Sequence, residues 1–456
     1  MRNTLTLMQN ATIAIALTSQ ITSLADDSTD KKLAQQPRFA DFGYLPPPDQ
    51  YEGRVFRLSQ DYPDAVPDPS HLPEFLMIDY RTQWKDYLIK LRDYCLEDNT
   101  DGNDVEEHFQ VAKPASPRWF HMPWQHFGPM GREGIHGLTK EAPVQPRQLA
   151  WTQTSTGQTY AIGFYNSFGA YEIGRVWNDH DKPALHGINF PHGTVVFKLL
   201  FVDIPTTQVP CLVNPVTWQG YITDTFISNH RSIANLALIQ MDVMVRDDHS
   251  PLGWLFGSFQ YNGALNRKNP WANLVPIGIQ WGDDPQNRDH QVNTQPIKTI
   301  RNTKLKETVI NDDDNELPPT HLGWNGRLNG PVDNPLSSCM SCHATAQVRE
   351  KSPLSPMFQE TAPPPGSDSW MRWFQNHKCG DRFDADVPST DFSLQLAISI
   401  KNWLQWRGEQ QGISAVNYKY QSIKAHATPS ASRYSEIRVE SGKAADAPKV
   451  QRNFDP

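Results

Sequence analysis

The sequence predicts an α+β protein of more than one domain: a large antiparallel β-rich region, sandwich- or barrel-like, followed by a small α-helical one. Three observations carry this expectation. Between about residues 152 and 282 the chain reads as strands, with runs at 160–165, 194–203, 236–245, 254–261 and 274–281 rich in aliphatic and aromatic residues and bounded by turn formers. No helical periods separate these runs, which argues against βαβ units and for antiparallel pairing. Helical spacing occurs instead on either side. Trp84, Tyr87, Leu88, Leu91, Tyr94 and Cys95 mark one amphipathic helix. Trp370, Trp373, Phe374 and His377 mark a short second one. Phe392, Leu396, Ile400, Trp403 and Leu404 line a third, which Asp391 is placed to cap.

Taken in order, residues 1–25 read as a signal peptide. Met1 and Arg2 give a positive start, residues 11–17 a short apolar core, and Ser23 and Ala25 the small residues a signal peptidase needs. Residues 26–69 are read as an extended, Pro-rich arm and 70–300 as the β-rich domain with an N-terminal helix. The acidic run 98–104 is read as a turn, because no glutamate completes a calcium loop. Residues 301–320, charged and containing 311–315 (Asn-Asp-Asp-Asp-Asn), are read as a linker, 321–407 as the small helical domain, and 408–456 as a polar, disordered tail. No stretch approaches the roughly 18 apolar residues of a membrane helix, so no membrane span is expected. The expected location is periplasmic or secreted.

The net charge of −8, with no basic block, makes nucleic acid and anionic membranes poor partners. The 456 residues suffice for two or three domains. Of five cysteines, two fall in the motif below; Cys95, Cys211 and Cys379 allow one disulfide in any of three pairings, or none.

The most specific chemistry lies at Cys339-Met340-Ser341-Cys342-His343. Two thiols three positions apart can form thioethers with the two vinyl groups of one porphyrin, and the histidine after them can reach its iron. A zinc site would want a second ligand pair, which Cys379 alone does not provide. A redox dithiol commonly opens a helix after a strand, whereas this motif follows Gly- and Pro-rich chain at 323–335.

This pentapeptide, followed by a loop and an amphipathic helix, resembles the c-type cytochrome family over roughly the last quarter of the folded chain. The resemblance implies a cytochrome c-like domain over 321–407 holding one covalent haem c. Cys339 and Cys342 are then the thioether anchors, His343 is the proximal ligand, and a helix at 392–404 packs near the haem edge. Such cytochromes begin with a helix before the motif, but Gly and Pro at 323–331 preclude one here. The small domain is therefore expected to be truncated and completed by the β-rich region. For the distal ligand, Met357 on the Pro-flanked loop 355–358 leads, with Met371, His377 or none as alternatives. Arg327, with Asn325 and Asn329, is a candidate for the haem propionates, or else part of a solvated Gly-rich turn.

Elsewhere, His121, His126 and His136 with Glu133 form a candidate metal or acid–base site, but their spacing fits loop histidines better. Asp242 alternates with apolar neighbours and reads as facing a polar side of the sheet. Trp254, Trp271 and Trp281 read as core more readily than as a sugar-stacking platform. The function expected is one-electron transfer with a redox partner protein. The alternatives are a haem-dependent oxidoreductase with its substrate site in the β-rich domain, and a polysaccharide-binding or sensor module carrying a haem.

Overall fold

The computed structural model describes residues 39, 43–44, 46–47, 49–51, 58–97, 119–125, 132–133, 135–223, 230–288, 296–301, 323–348, 352–359 and 361–410. The expected signal peptide, the expected 98–104 turn, most of the expected linker and the chain beyond 410 lie outside them.

Strong β-formers over the five predicted runs give strands β5 (Gly157–Asn166), β6 (Val195–Val202), β8 (Arg231–Arg246), β9 (Trp254–Tyr261) and β10 (Leu274–Gln280). Shorter strands β2 (Trp119–His121), β4 (Thr139–Val144), β7 (Thr217–Thr223) and β11 (Thr299–Arg301) complete a nine-stranded sheet. Its order is β11-β10-β9-β8-β6-β5-β2, with β4 also on β5 and β7 also on β8, and every pairing is antiparallel. A separate parallel pair joins β1 (Gly43–Tyr44) to β3 (Arg132–Glu133). The β-rich, antiparallel expectation holds, but sandwich or barrel does not describe it. Among the described residues the hydrogen-bonded path neither closes nor pairs with a second large sheet, because helices and loops supply the covering layers.

Both faces of the sheet are covered, and for that reason β9 and β10 are buried along their whole length. On one face lies helix α1 (Trp84–Leu96), which buries Tyr87, Leu88, Leu91 and Cys95 as its spacing predicts. Gly257 permits this contact, since a Cβ there would meet Leu88 at 2.5 Å. Helix α2 (Ser167–Val176) follows β5 directly; Asn166 caps it by accepting from Gly169 N at 3.2 Å.

The other face carries the C-terminal segment: α3 (Cys339–His343), α4 (Asp368–Met371) and α5 (Leu394–Gln410). Met340, Ala344, Phe392, Leu396, Ile400 and Trp403 share one core with Tyr165, Val196, Met244, Trp254 and Phe256 of the sheet. Burying each large apolar side chain there contributes roughly 1.5–3 kcal/mol. The predicted face over 370–377 is reduced to the single turn α4. Trp370 and Phe374 are held instead by rings packing on Trp324, at 5.5 and 4.6 Å between centroids. The residue capping α5 is Ser393, whose Oγ accepts from Leu396 N at 3.1 Å, and not Asp391.

Candidate functional site

Ser338 starts α3 by a reciprocal capping box: its Oγ accepts from Ser341 N at 2.9 Å, and Ser341 Oγ accepts from Ser338 N at 2.7 Å. One helical turn then places Cys339 and Cys342 on the same side. None of the five cysteines is disulfide-bonded. Cys339 packs against Leu328 and Ile277, and its backbone N–H donates to Leu328 O at 3.0 Å.

His343 Nδ1 lies 2.8 Å from the backbone oxygen of Phe392. A carbonyl only accepts, so Nδ1 carries the proton and the neutral ring keeps its lone pair on Nε2, the arrangement of a metal-ligating imidazole. Nε2 makes no hydrogen bond among the described residues. Burial, with help from the charge of Lys198, depresses the ring's pKa to about 4, so it is neutral under physiological conditions. Its ring packs at a tilt against Phe256 on β9, with 5.1 Å between centroids.

The carbonyl that receives this proton is aimed by strained backbone. Asp391 and Phe392 both have positive φ, 48° and 65°, a region costly for residues with side chains. Asp391 holds it by accepting three hydrogen bonds, from Trp254 Nε1 (3.1 Å), Phe190 N (2.7 Å) and Gly380 N (2.9 Å). Gly163 lets the start of α5 lie close on β5, because a Cβ there would meet the Gln395 amide at 2.4 Å.

The surroundings of the thiols are acidic. Burial foremost, then Asp242, Asp333 and Asp283, push Cys339 well above the ordinary thiol range. Burial likewise drives Cys342 up to about 12, against a hydrogen bond from Ser337. A redox dithiol needs thiolate, which this site opposes, and among the described residues no three His, Cys, Asp or Glu side chains converge as a zinc site would require. A thioether carries no ionisable proton, so the two cysteines suit thioether anchors better than either alternative.

Comparison with protein-family models, with curated proteins and with solved structures finds no match to this chain.

The polar row beside α3 comes from the sheet. Gln240 Nε2 donates to Asp242 Oδ2 (2.7 Å) and Asp333 Oδ2 (2.9 Å), while its Oε1 accepts from Val332 N at 2.9 Å. Ser258 Oγ donates to Asp242 Oδ1 at 2.6 Å, and Lys198 Nζ pairs with Glu141 at 3.4 Å. Burial first, then the charge of Asp333, raises Asp242 towards neutrality. Asp242 was legible as facing a polar side; its partners, far apart in sequence, were not.

Arg327 is not placed for propionates. It is fully buried and spends four hydrogen bonds on the carbonyls of Asp283, Trp324, Asp284 and Asn287, at 2.6–3.2 Å. Its plane lies over Trp324 and Phe374. It is a structural brace, neither solvated nor open to a ligand. Asn325 bonds Asn287, and Asn329 bonds Ser337 and the Asn334 carbonyl. Met357 is buried, and its sulfur accepts from Asn334 Nδ2 at 2.9 Å, which leaves the thioether a second lone pair. Met371 lies in the aromatic cluster of Trp324, Trp370 and Phe374, and His377 packs at a tilt against Phe383 at its margin.

The histidine constellation does not assemble as an acid–base site. Glu133 uses its carboxylate to accept from Ile135 N (2.6 Å) and His136 N (2.7 Å), and His136 packs on Trp218. His126 lies outside the described residues, and among those described no three His, Cys, Asp or Glu side chains converge for a metal. Trp254, Trp271 and Trp281 are buried core residues. No described helix is long and apolar enough to cross a membrane.

Asp283 joins the site through the residue that caps α3, Ser338. It is fully buried; its Oδ1 accepts from Ser338 Oγ (2.5 Å) and Gln280 Nε2 (3.0 Å), and Arg327 Nε stands 3.9 Å away. Burial, only partly offset by Arg327, pushes its pKa up to about 7 from an ordinary 3.8. The folded state thus holds the proton longer than the unfolded chain. Its contribution to stability is complete below the unfolded value and is lost as pH rises through about 7. In the haem-free protein, urea titrations over this interval are expected to show wild type losing on the order of 3 kcal/mol relative to Asp283→Asn. The opposite slope from His343 is common to both proteins and cancels. Parallel stability curves would contradict this account.

Proposed function

We propose that this chain is an exported mono-haem c-type cytochrome that transfers single electrons to and from a redox partner protein. One observation carries the reading: His343 directly follows two unpaired cysteines one turn apart, and its Nδ1 is committed to the Phe392 carbonyl. In this reading Cys339 and Cys342 hold the haem, His343 is the proximal ligand and Met357 the candidate for the opposite position. Bound haem supplies a one-electron Fe(III)/Fe(II) couple. The chain's own residues fix the imidazole tautomer, exclude water through the shared core and set the local charge. The segment 321–407 then acts as a reduced cytochrome c-like domain whose missing side is supplied by the sheet. A partner needs only a small, transient contact.

A second reading, a haem-dependent oxidoreductase, is favoured by the row of Lys198, Asp242 and Asp333 beside α3. Absorption spectra of oxidised and reduced protein, with and without CO, separate the two. Electron transfer predicts six-coordinate iron, a far-red band from methionine ligation and indifference to CO. Met357→Leu should then abolish that band and admit CO. Rapid CO binding by the wild type would favour the oxidoreductase, and absence of covalent haem would refute both.

A further inference from the structure

One buried polar atom beside α3 is unaccounted for by any of the roles above. Asp283 Oδ2 is buried and has no hydrogen-bond partner among the described residues, whereas Oδ1 takes both donors. An ionised carboxylate would leave that oxygen without a protein donor in a buried site, at a cost of several kcal/mol. Arg327, at 3.9 Å and committed to four carbonyls, offsets only part of this cost. The carboxyl is therefore poised between its two protonation states.

Its position couples it to the haem-bearing turn. Asp283 bonds the N-cap hydroxyl of α3, and its charge acts on both Cys339 and Cys342. The other charged groups acting at this junction are Arg327, Asp284 (itself paired with Lys298 at 3.0 Å), and Asp242 and Asp333, whose charges act on Cys339. Resting on the haem reading above, we propose that Asp283 is a redox-linked proton acceptor. It binds one proton from solvent when an electron from the partner protein takes the iron from Fe(III) to Fe(II), and releases that proton on reoxidation. The added electron removes one positive charge beside the carboxyl, and protonation restores it; linkage makes the effect reciprocal.

The test is the midpoint potential of the holoprotein, followed spectroelectrochemically from about pH 5 to pH 9. The wild-type potential should fall with rising pH over part of this range, approaching about 59 mV per pH unit, the one-electron equivalent of a tenfold change. Asp283→Asn should flatten that region while retaining covalent haem. Ser338→Ala, which removes a donor to the carboxylate, should move the sloping region to higher pH. Infrared difference spectra should show a protonated carboxyl band appearing on reduction in wild type and missing in Asp283→Asn. A wild-type potential independent of pH, or a slope that survives both substitutions unchanged, overturns the proposal while leaving the cytochrome reading intact. A slope lost instead in Asp242→Asn overturns it in favour of the sheet carboxylates. Protein without covalent haem overturns both readings together.

Discussion

Expressed alongside a haem-attachment system and then denatured, the wild-type chain is expected to retain one haem, and Cys339→Ala/Cys342→Ala to retain none. The difference is all-or-none because nothing else in the site binds covalently. Intact mass of the denatured chain and a haem stain read it directly. Each single replacement leaves one thioether and should keep haem at reduced yield. His343→Gly removes the iron ligand but neither anchor, so haem should stay attached while the spectrum changes, and added imidazole should restore the wild-type bands. Wild-type protein carrying no covalent haem after such expression would refute the cytochrome reading at its root.

Asp391→Ala is expected to have the largest effect on stability of any single replacement near the site, about 3–5 kcal/mol. The carboxylate satisfies Trp254 Nε1, Phe190 N and Gly380 N, and truncation leaves the buried Trp254 and Phe190 donors with no acceptor, while the exposed Gly380 N–H can turn to water. It also releases the backbone pair 391–392 from its positive-φ geometry and lets the Phe392 carbonyl swing away from His343. Urea denaturation measures the first consequence. The second should appear as a mixed-ligation spectrum in the haem-loaded protein, which a merely destabilised but correctly aimed site would not give. Asp391→Asn keeps one acceptor oxygen and should fall between wild type and Asp391→Ala.

What could be read from the sequence was whatever local pattern determines. The five apolar runs became strands β5, β6, β8, β9 and β10, and the 84–95 periodicity became α1. Edge strands such as β7 and β4 carry mixed composition and gain their order only by pairing with β8 and β5. The candidate anchors and ligand in 339–343 could be proposed from the sequence because their spacing is itself the chemistry. Asp391 was read as a helix cap because it precedes an apolar period. Its real partners at 190, 254 and 380 come together only in the folded chain. Arg327 was assigned by charge type, but Asp283 to Asn287 and Trp324 had already claimed its donors. The single sheet in place of a sandwich reflects the same limit, since strand pattern does not reveal whether helix or sheet covers a face.

In the cytochrome reading, the partial enclosure of the two thiols also bears on an order of events during biogenesis. Once α3 has docked, Cys339 and Cys342 are partly covered and held protonated by their surroundings, so on that reading vinyl addition is expected on the nascent chain before closure. That closure is slow by construction. The links that seat the segment, Tyr165 to Ser393 and Trp254 to Asp391, join residues 228 and 137 positions apart, and contacts of such separation form late. If the chain carries haem as proposed, late closure would give the attachment machinery its working interval. A variant that speeds docking of 323–410 would thus be expected to gain folding rate and lose haem occupancy.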